Sequence, residues 1–262
     1  VVHDGARAFP AACQALTLWR ERVGPVILIS NSPRPFQGVA EQLAELGAPT
    51  SAWSAIVTSG DATRTLLGAR APGPAYRIGP ARDDALFEGL GLTFGGLAEA
   101  RFIACSGPDD DEVETPDDYR EILSRAAARE LDMICANPDI VVQRGQRLIY
   151  CAGALAGLYE ELGGAVVMAG KPFAPIYDLA RDAAAMALGR PADPARTLVV
   201  GDGLATDIEG AARQGLGALF VAGGIHRGEL VSHAGRLDVC AAADLLAQKG
   251  LAAGYAMADL AW

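Results

Sequence analysis

The chain has 262 residues, about 1.7 domains at roughly 150 residues each, which favours one large domain or two unequal ones. Hydrophobic residues make up 51% and charged residues 21%, and no stretch is apolar for about 18 positions, so a disordered tail, a collagen and a membrane-spanning helix are excluded. With 22 Lys and Arg against 32 Asp and Glu the net charge is −10, a field that disfavours nucleic acid and anionic membranes as partners.

Residues 1–13, VVHDGARAFPAAC, lack a basic segment followed by an apolar one, so no signal peptide is expected. A helix is predicted from Pro10 to Arg22. Val26–Ile29 reads as a strand leading into the polar turn SNSPR, and Phe36–Leu46 as a helix stopped by Gly47. Ser54–Gly60 reads as a second strand, with Asp61 capping a helix over Ala62–Leu67. APGP at 71–74 breaks the pattern. Beyond it AYRIG, RFIAC and DMICAN are three candidate strands, and Thr115–Leu131 is a helix whose TPDD start brings Pro and acid to the first turn. The acidic run 109–114 reads as a solvated loop, with a calcium or substrate role as the alternative. Alternation then resumes: strand Gly164–Ala169, helix Pro175–Leu188, strand Thr197–Val200, helix Asp207–Gln214, strand Ala218–Val221.

Strands alternating with helices, and 31 glycines for tight turns, predict an α/β protein with a doubly wound parallel sheet. The middle section is read as an inserted smaller α/β domain, giving a core of 1–62 and 155–262 around a cap of 63–154. Five cysteines, Cys13, Cys105, Cys135, Cys151 and Cys240, form an odd set with no CxxC, which suggests neither a disulfide framework nor a zinc site and fits a reducing cytoplasm. Assembly into a homo-oligomer stays open.

Three places carry candidate chemistry. In TLVVGDGLATD an apolar strand ends at Gly201 and is followed by Asp202 and Asp207. At the carboxyl end of a strand in an open parallel sheet both would project into one crevice, and paired carboxylates suit Mg²⁺, which also draws on water and substrate phosphate. The plainer alternative makes Asp202 a turn residue and Asp207 a helix cap. A dinucleotide fingerprint fails, because the third glycine position is Thr206. In ILISNS the side chains of Ser30, Asn31 and Ser32 emerge from a buried strand and could hold phosphate oxygens, or simply form a turn. Lys171, in MAGKP, is a compact positive charge at the end of another strand, for phosphate or for steadying a carboxylate, or solvated surface.

A strand-end hydroxyl, a lysine and G-D-x-x-x-x-D, in this order, resemble the second, third and fourth motifs of the haloacid-dehalogenase-like phosphohydrolases: Ser30, then Lys171, then Gly201, Asp202 and Asp207. TSG at 58–60, NPD at 137–139, GKP at 170–172 and the position of the insertion resemble subclass IIA, the NagD-like and nitrophenylphosphatase-like group. The resemblance implies a Mg²⁺-dependent phosphatase of a small phosphorylated metabolite, acting through an aspartyl-phosphate. Ser30 and Asn31 would contact the phosphoryl group, Lys171 would bridge phosphate and nucleophile, and Asp202 and Asp207 would serve the metal. Asn137 and Asp139 would contribute to the substrate side, or form only a turn; His226 is a loop histidine within reach of the site or an ordinary one. A cap would exclude water and choose the leaving group, with hinges near 60–63 and 153–157.

The family's first motif, D-x-D-G, has no counterpart here, and Asp4 of HDG is given no catalytic role. The expectation is that the nucleophile lies upstream of residue 1 in a longer protein and that the displayed chain alone is inactive. The alternative is a phosphate-binding or regulatory module of the same fold without turnover.

Overall fold

The computed structural model describes residues 1–144 and 147–262. Helix α1 (Pro10–Arg22) starts on Pro10, and its Arg20 donates to the carbonyls of Thr50, Ser51 and Trp53. Strand β1 (Ile27–Ser30), helix α2 (Phe36–Glu45) and strand β2 (Ala55–Thr58) follow as predicted, with Gly47 in the left-handed region at φ +85° after α2. Helix α3 (Ser59–Gly68) begins earlier than predicted. Its N-cap is Thr58, not Asp61: Thr58 Oγ1 accepts the Asp61 N–H at 3.0 Å, and Asp61 Oδ2 accepts the Thr58 N–H at 3.0 Å, a reciprocal box that extends the helix by three residues.

The three candidate strands are β3 (Ala75–Ile78), β4 (Phe102–Cys105) and β5 (Asp132–Cys135). The helix before β5 is shorter than predicted: a 3₁₀ turn at Pro116–Tyr119 leads into α4 (Arg120–Ala127). Strands β6 (Val141–Arg144) and β7 (Arg147–Tyr150) pair antiparallel, and α5 (Ala152–Glu161) leads to β8 (Ala165–Met168). Then come α6 (Ala174–Leu188), β9 (Leu198–Gly201), α7 (Glu209–Arg213), β10 (Gly217–Val221), α8 (Arg227–Leu230), α9 (Val239–Gln248) and β11 (Tyr255–Met257).

Compactness divides the chain into two units. One comprises Val1–Leu28, Val39–Ile56 and Lys171–Trp262, the other Ile29–Gly38 and Val57–Gly170, so the boundary runs through β1 and β2, which form a two-stranded sheet. The first unit holds the parallel sheet β11-β10-β9, with Phe220, Ile208, Leu204, Leu230 and Leu246 packed on it, and a smaller cluster of Cys13, Val39, Leu43, Ala52 and Ile56. The second holds the parallel sheet β3-β4-β5-β8, sandwiched by Ile103, Met133, Leu123, Leu155 and Tyr159 on one face and Leu67, Leu86, Phe102 and Ile134 on the other. Strand β4 is buried throughout and β5 is buried beyond Asp132, so these two read as apolar runs rather than alternating ones, whereas β3 carries Arg77 and β8 is at most half-buried. Strand β8, read from the sequence with the second flank, is hydrogen-bonded to β5.

The acidic run is not simply solvated. Asp111 is buried, and Arg82 and Arg144 both close on its carboxylate, the latter at 2.8 Å. Burial alone would raise its pKa, but the two guanidiniums outweigh that and hold the carboxyl below the ordinary range. All five cysteines are free and four are buried. No helix among the described residues is long and apolar enough to cross a membrane.

Neither stretch expected to hinge is a loop: 60–63 lies within α3 and 153–157 within α5. A Cβ on Gly153 would sit 2.2 Å from the Pro138 carbonyl oxygen, whereas one on Gly157 would meet nothing within 4 Å. The two glycines of one helix should therefore respond oppositely. Gly153→Ala is expected to lower the urea-unfolding free energy, by on the order of 1–3 kcal/mol of overpacking, and Gly157→Ala to leave it unchanged or raise it by up to about 1 kcal/mol of helix propensity.

Candidate active site

In the first unit β9 ends at Gly201, paired with Phe220 of β10, so the segments leaving the two parallel strands run side by side. Asp202 follows β9, and its Oδ2 accepts the N–H of Ile225, beyond β10, at 3.0 Å. This approach requires Gly224, because a Cβ there would lie 2.0 Å from Asp202 Oδ2. Asp207 lies in the π-helical turn Leu204–Ile208, not at a helix cap as one reading of the sequence has it. Such turns insert a residue into a helix and are frequent at functional sites.

The Asp207 side chain is only 12% exposed. Its Oδ2 accepts the Gly203 N–H at 3.0 Å, and its Oδ1 accepts from Lys171 Nζ at 2.8 Å, a lysine itself 16% exposed. Gly201 makes room for it: a Cβ there would fall 2.2 Å from that of Asp207. His226 turns its ring edge to Phe220, with centroids 6.1 Å apart, and its Nδ1 lies 3.9 Å from Glu229.

In the second unit the loop after β1 is folded on its own hydroxyls. Ser30 Oγ accepts the Ser32 N–H at 3.2 Å, and Ser32 Oγ accepts the Arg34 N–H at 3.2 Å. The loop is tied to the start of α3: Gly60 N–H donates to the Ser32 carbonyl at 3.1 Å, and Phe36 N–H to Asp61 Oδ1 at 3.2 Å. A Cβ on Gly60 would fall 2.2 Å from the Pro33 carbonyl oxygen. Asn31 Nδ2 donates to Asp139 Oδ1 at 3.2 Å, and Asn137 Oδ1 accepts the Asp139 N–H at 3.0 Å, closing a turn over NPD. The Cys135 thiol donates to the Asn137 carbonyl at 3.3 Å, and Ser59 Oγ to that of Ala136. Gly170 completes the cluster, since a Cβ there would come within 2.8 Å of Ser59, Asn31 and Pro138.

The structure thus gathers Lys171, Asp202, Asp207 around the end of β9 in one unit, and Ser30, Asn31, Ser32, Asn137, Asp139 in the other. The solved crystal structure of a haloacid dehalogenase-like family hydrolase from Brucella suis 1330 is 43% identical in sequence, covers 99% of this chain and 92% of its own, and superposes with a TM-score of 0.81. The chain belongs to the haloacid dehalogenase-like hydrolase family.

Two family models agree with this: one for haloacid dehalogenase-like hydrolases matches residues 1–93, and a HAD-hydrolase-like one matches residues 168–247. The 5'-nucleotidase YutF of Bacillus subtilis (strain 168) is 27% identical over 235 residues, 87% of this chain and 86% of its own. A p-nitrophenyl phosphatase from Archaeoglobus fulgidus, 20% identical, shares the fold with a TM-score of 0.74 over 99% of this chain and 93% of its own. The fold is that of subclass IIA, as the TSG, NPD and GKP signatures suggested.

For this haloacid dehalogenase-like chain, sequence reading named Gly201 as a motif residue but missed Gly224 and the close approaches that both glycines permit. Their signals were the Gly223-Gly224 doublet after an apolar run and the Gly201-Asp202-Gly203 spacing. Gly224→Ala is expected to dislodge the Asp202 carboxylate, so that the Ile225 amide exchanges faster in hydrogen-exchange mass spectrometry. Gly228→Ala, where a Cβ meets nothing within 4 Å, should leave that exchange unchanged.

Proposed function

We propose that the protein is a Mg²⁺-dependent phosphomonoesterase of a small phosphorylated metabolite, such as a sugar phosphate, a nucleoside monophosphate, phosphoglycolate or pyridoxal phosphate. The observation that carries this reading is the buried Lys171–Asp207 pair beside Asp202 at the end of β9. A buried ion pair is a poor device for stability, and a lysine with two carboxylates at the carboxyl end of a parallel strand is a good one for holding phosphate and a divalent cation. The activities for which YutF and the archaeal phosphatase are named support the same reading.

Among the described residues no group of three or more His, Cys, Asp or Glu side chains is placed to hold a metal. A site here would rest on the hard oxygens of Asp202 and Asp207, completed by water and phosphate, which fits Mg²⁺ rather than a protein-only cage. Bound there, Mg²⁺ would offset the negative charge of the phosphate group. Ser30 and Asn31 would donate to phosphoryl oxygens, and Lys171 would add a positive charge at hydrogen-bond range. Asp139, anionic itself, would act by orienting the Asn31 amide, with Asn137 and Ser32 shaping the two turns.

The aspartyl-phosphate route belongs to the proposal. A first-motif Asp oxygen would bond to phosphorus as the ester oxygen leaves with the substrate alcohol, and water would then cleave the acyl phosphate. A core with an inserted cap completes it, β8 being counted with the cap strands because it pairs with β5, and the free cysteines suit a reducing cytoplasm.

The test is phosphate release from p-nitrophenyl phosphate by the full-length protein. EDTA should abolish it, added Mg²⁺ should restore it, and Asp202→Asn should remove it at unchanged melting temperature. Release that survives either change contradicts the reading, and phosphate-induced stabilisation without any turnover favours the binding module instead.

A further inference from the structure

We propose that Tyr177 is a positioning residue for Asp207. This rests on the reading of Lys171, Asp202 and Asp207 as the phosphate and cation machinery, and it adds a residue that no motif of the chain singles out. The problem it answers is local. A π-helical turn widens the helix by one residue and loses regular hydrogen bonding, so something outside must fix it.

Within the turn, the N–H groups of Asp207 and Ile208 both donate to the Gly203 carbonyl, at 2.8 and 3.1 Å. That shared acceptor holds the inner side. On the outer side, Tyr177 Oη donates to the Thr206 carbonyl at 3.4 Å, one residue before Asp207. Tyr177 is 2% exposed, and the end of its ring rests on Gly210, where a Cβ would lie 1.9 Å from Oη. The hydroxyl therefore sets how closely α6 approaches the turn and the start of α7.

Tyr177 stands in the first turns of α6, six residues after Lys171. The segment 171–177 thus grips one turn at two points: Lys171 on the Asp207 carboxylate and Tyr177 on the backbone behind it. Burial, and secondarily the Asp207 charge, push the phenol ionisation far up, so the hydroxyl remains a donor throughout the working pH range.

The test uses the full-length protein, with Mn²⁺ as a spectroscopic stand-in for Mg²⁺ and p-nitrophenyl phosphate as substrate. Direct Mn²⁺ binding is followed by electron paramagnetic resonance, alongside the melting temperature, kcat and KM. Tyr177→Phe keeps the ring and removes the donor. It should weaken Mn²⁺ binding about five-fold, in keeping with one net hydrogen bond, and lower kcat at limiting Mg²⁺ with KM unchanged. Gly210→Ala, which keeps the donor and displaces it, should weaken binding further. Asp207→Asn should weaken it at least as much as either. If Asp207→Asn weakens Mn²⁺ binding and Tyr177→Phe binds like the unaltered protein, the positioning role is wrong while the site reading stands. If Asp207→Asn also binds like the unaltered protein, the site reading fails and takes the inference with it.

Discussion

The Asp207 carboxylate, almost removed from water, has to be neutralised and fully hydrogen-bonded, and this requirement organises the first unit around it. Lys171 answers its charge and the Gly203 N–H its second oxygen. Gly201 leaves the space its side chain occupies, and the π-helical turn presents it. Desolvating such a pair offsets most of what its attraction gains. Its presence at a strand end is therefore better explained by chemistry than by stability, and the membership in a hydrolase family points the same way.

The second unit solves a different problem. A loop of Ser, Asn and Ser has few apolar groups to pack, so it is fixed by hydrogen bonds to its own backbone and to elements distant in sequence. Asn31 reaches Asp139, 108 residues on, and the N-terminal residues of α3 hold Ser32 and Phe36. Gly60 and Gly153 allow backbones to approach where any side chain would collide, and Gly170 leaves room for the side chains of Ser59, Asn31 and Pro138. The signatures TSG, NPD and GKP thus read as packing requirements as much as chemical ones: in each, a small residue or a turn-former stands where a larger one would separate the loops.

Legibility in the sequence followed the range of the interaction that decides each feature. Strand β4 was legible because burial on both faces leaves it apolar throughout, β3 and β5 because only Arg77 and Asp132 interrupt their apolar residues, and α2 because its periodicity is strong and Gly47 ends it. The start of α3 was missed by three residues, since a threonine cap hidden at the end of a strand gives no separate signal. The antiparallel β6–β7 pair and β11 were missed, the first within a run that also carries NPD and the second because a three-residue strand has too little pattern. At the site, Lys171, Asp202 and Asp207 were legible as motif residues. The sequence allowed that Lys171 steadies a carboxylate but did not show that Asp207 would be that partner, or that Tyr177 would stand behind them. Those depend on tertiary approach, which no spacing rule encodes.

The most direct test of this account separates the ion pair's contribution to stability from its contribution to chemistry. In the full-length protein, Lys171→Met combined with Asp207→Leu replaces the pair by apolar side chains of like branching. The account expects a urea-unfolding free energy that is unchanged or higher, by up to about 4 kcal/mol, together with loss of p-nitrophenyl phosphate hydrolysis. A doubly substituted protein that still releases phosphate at the original rate would contradict it.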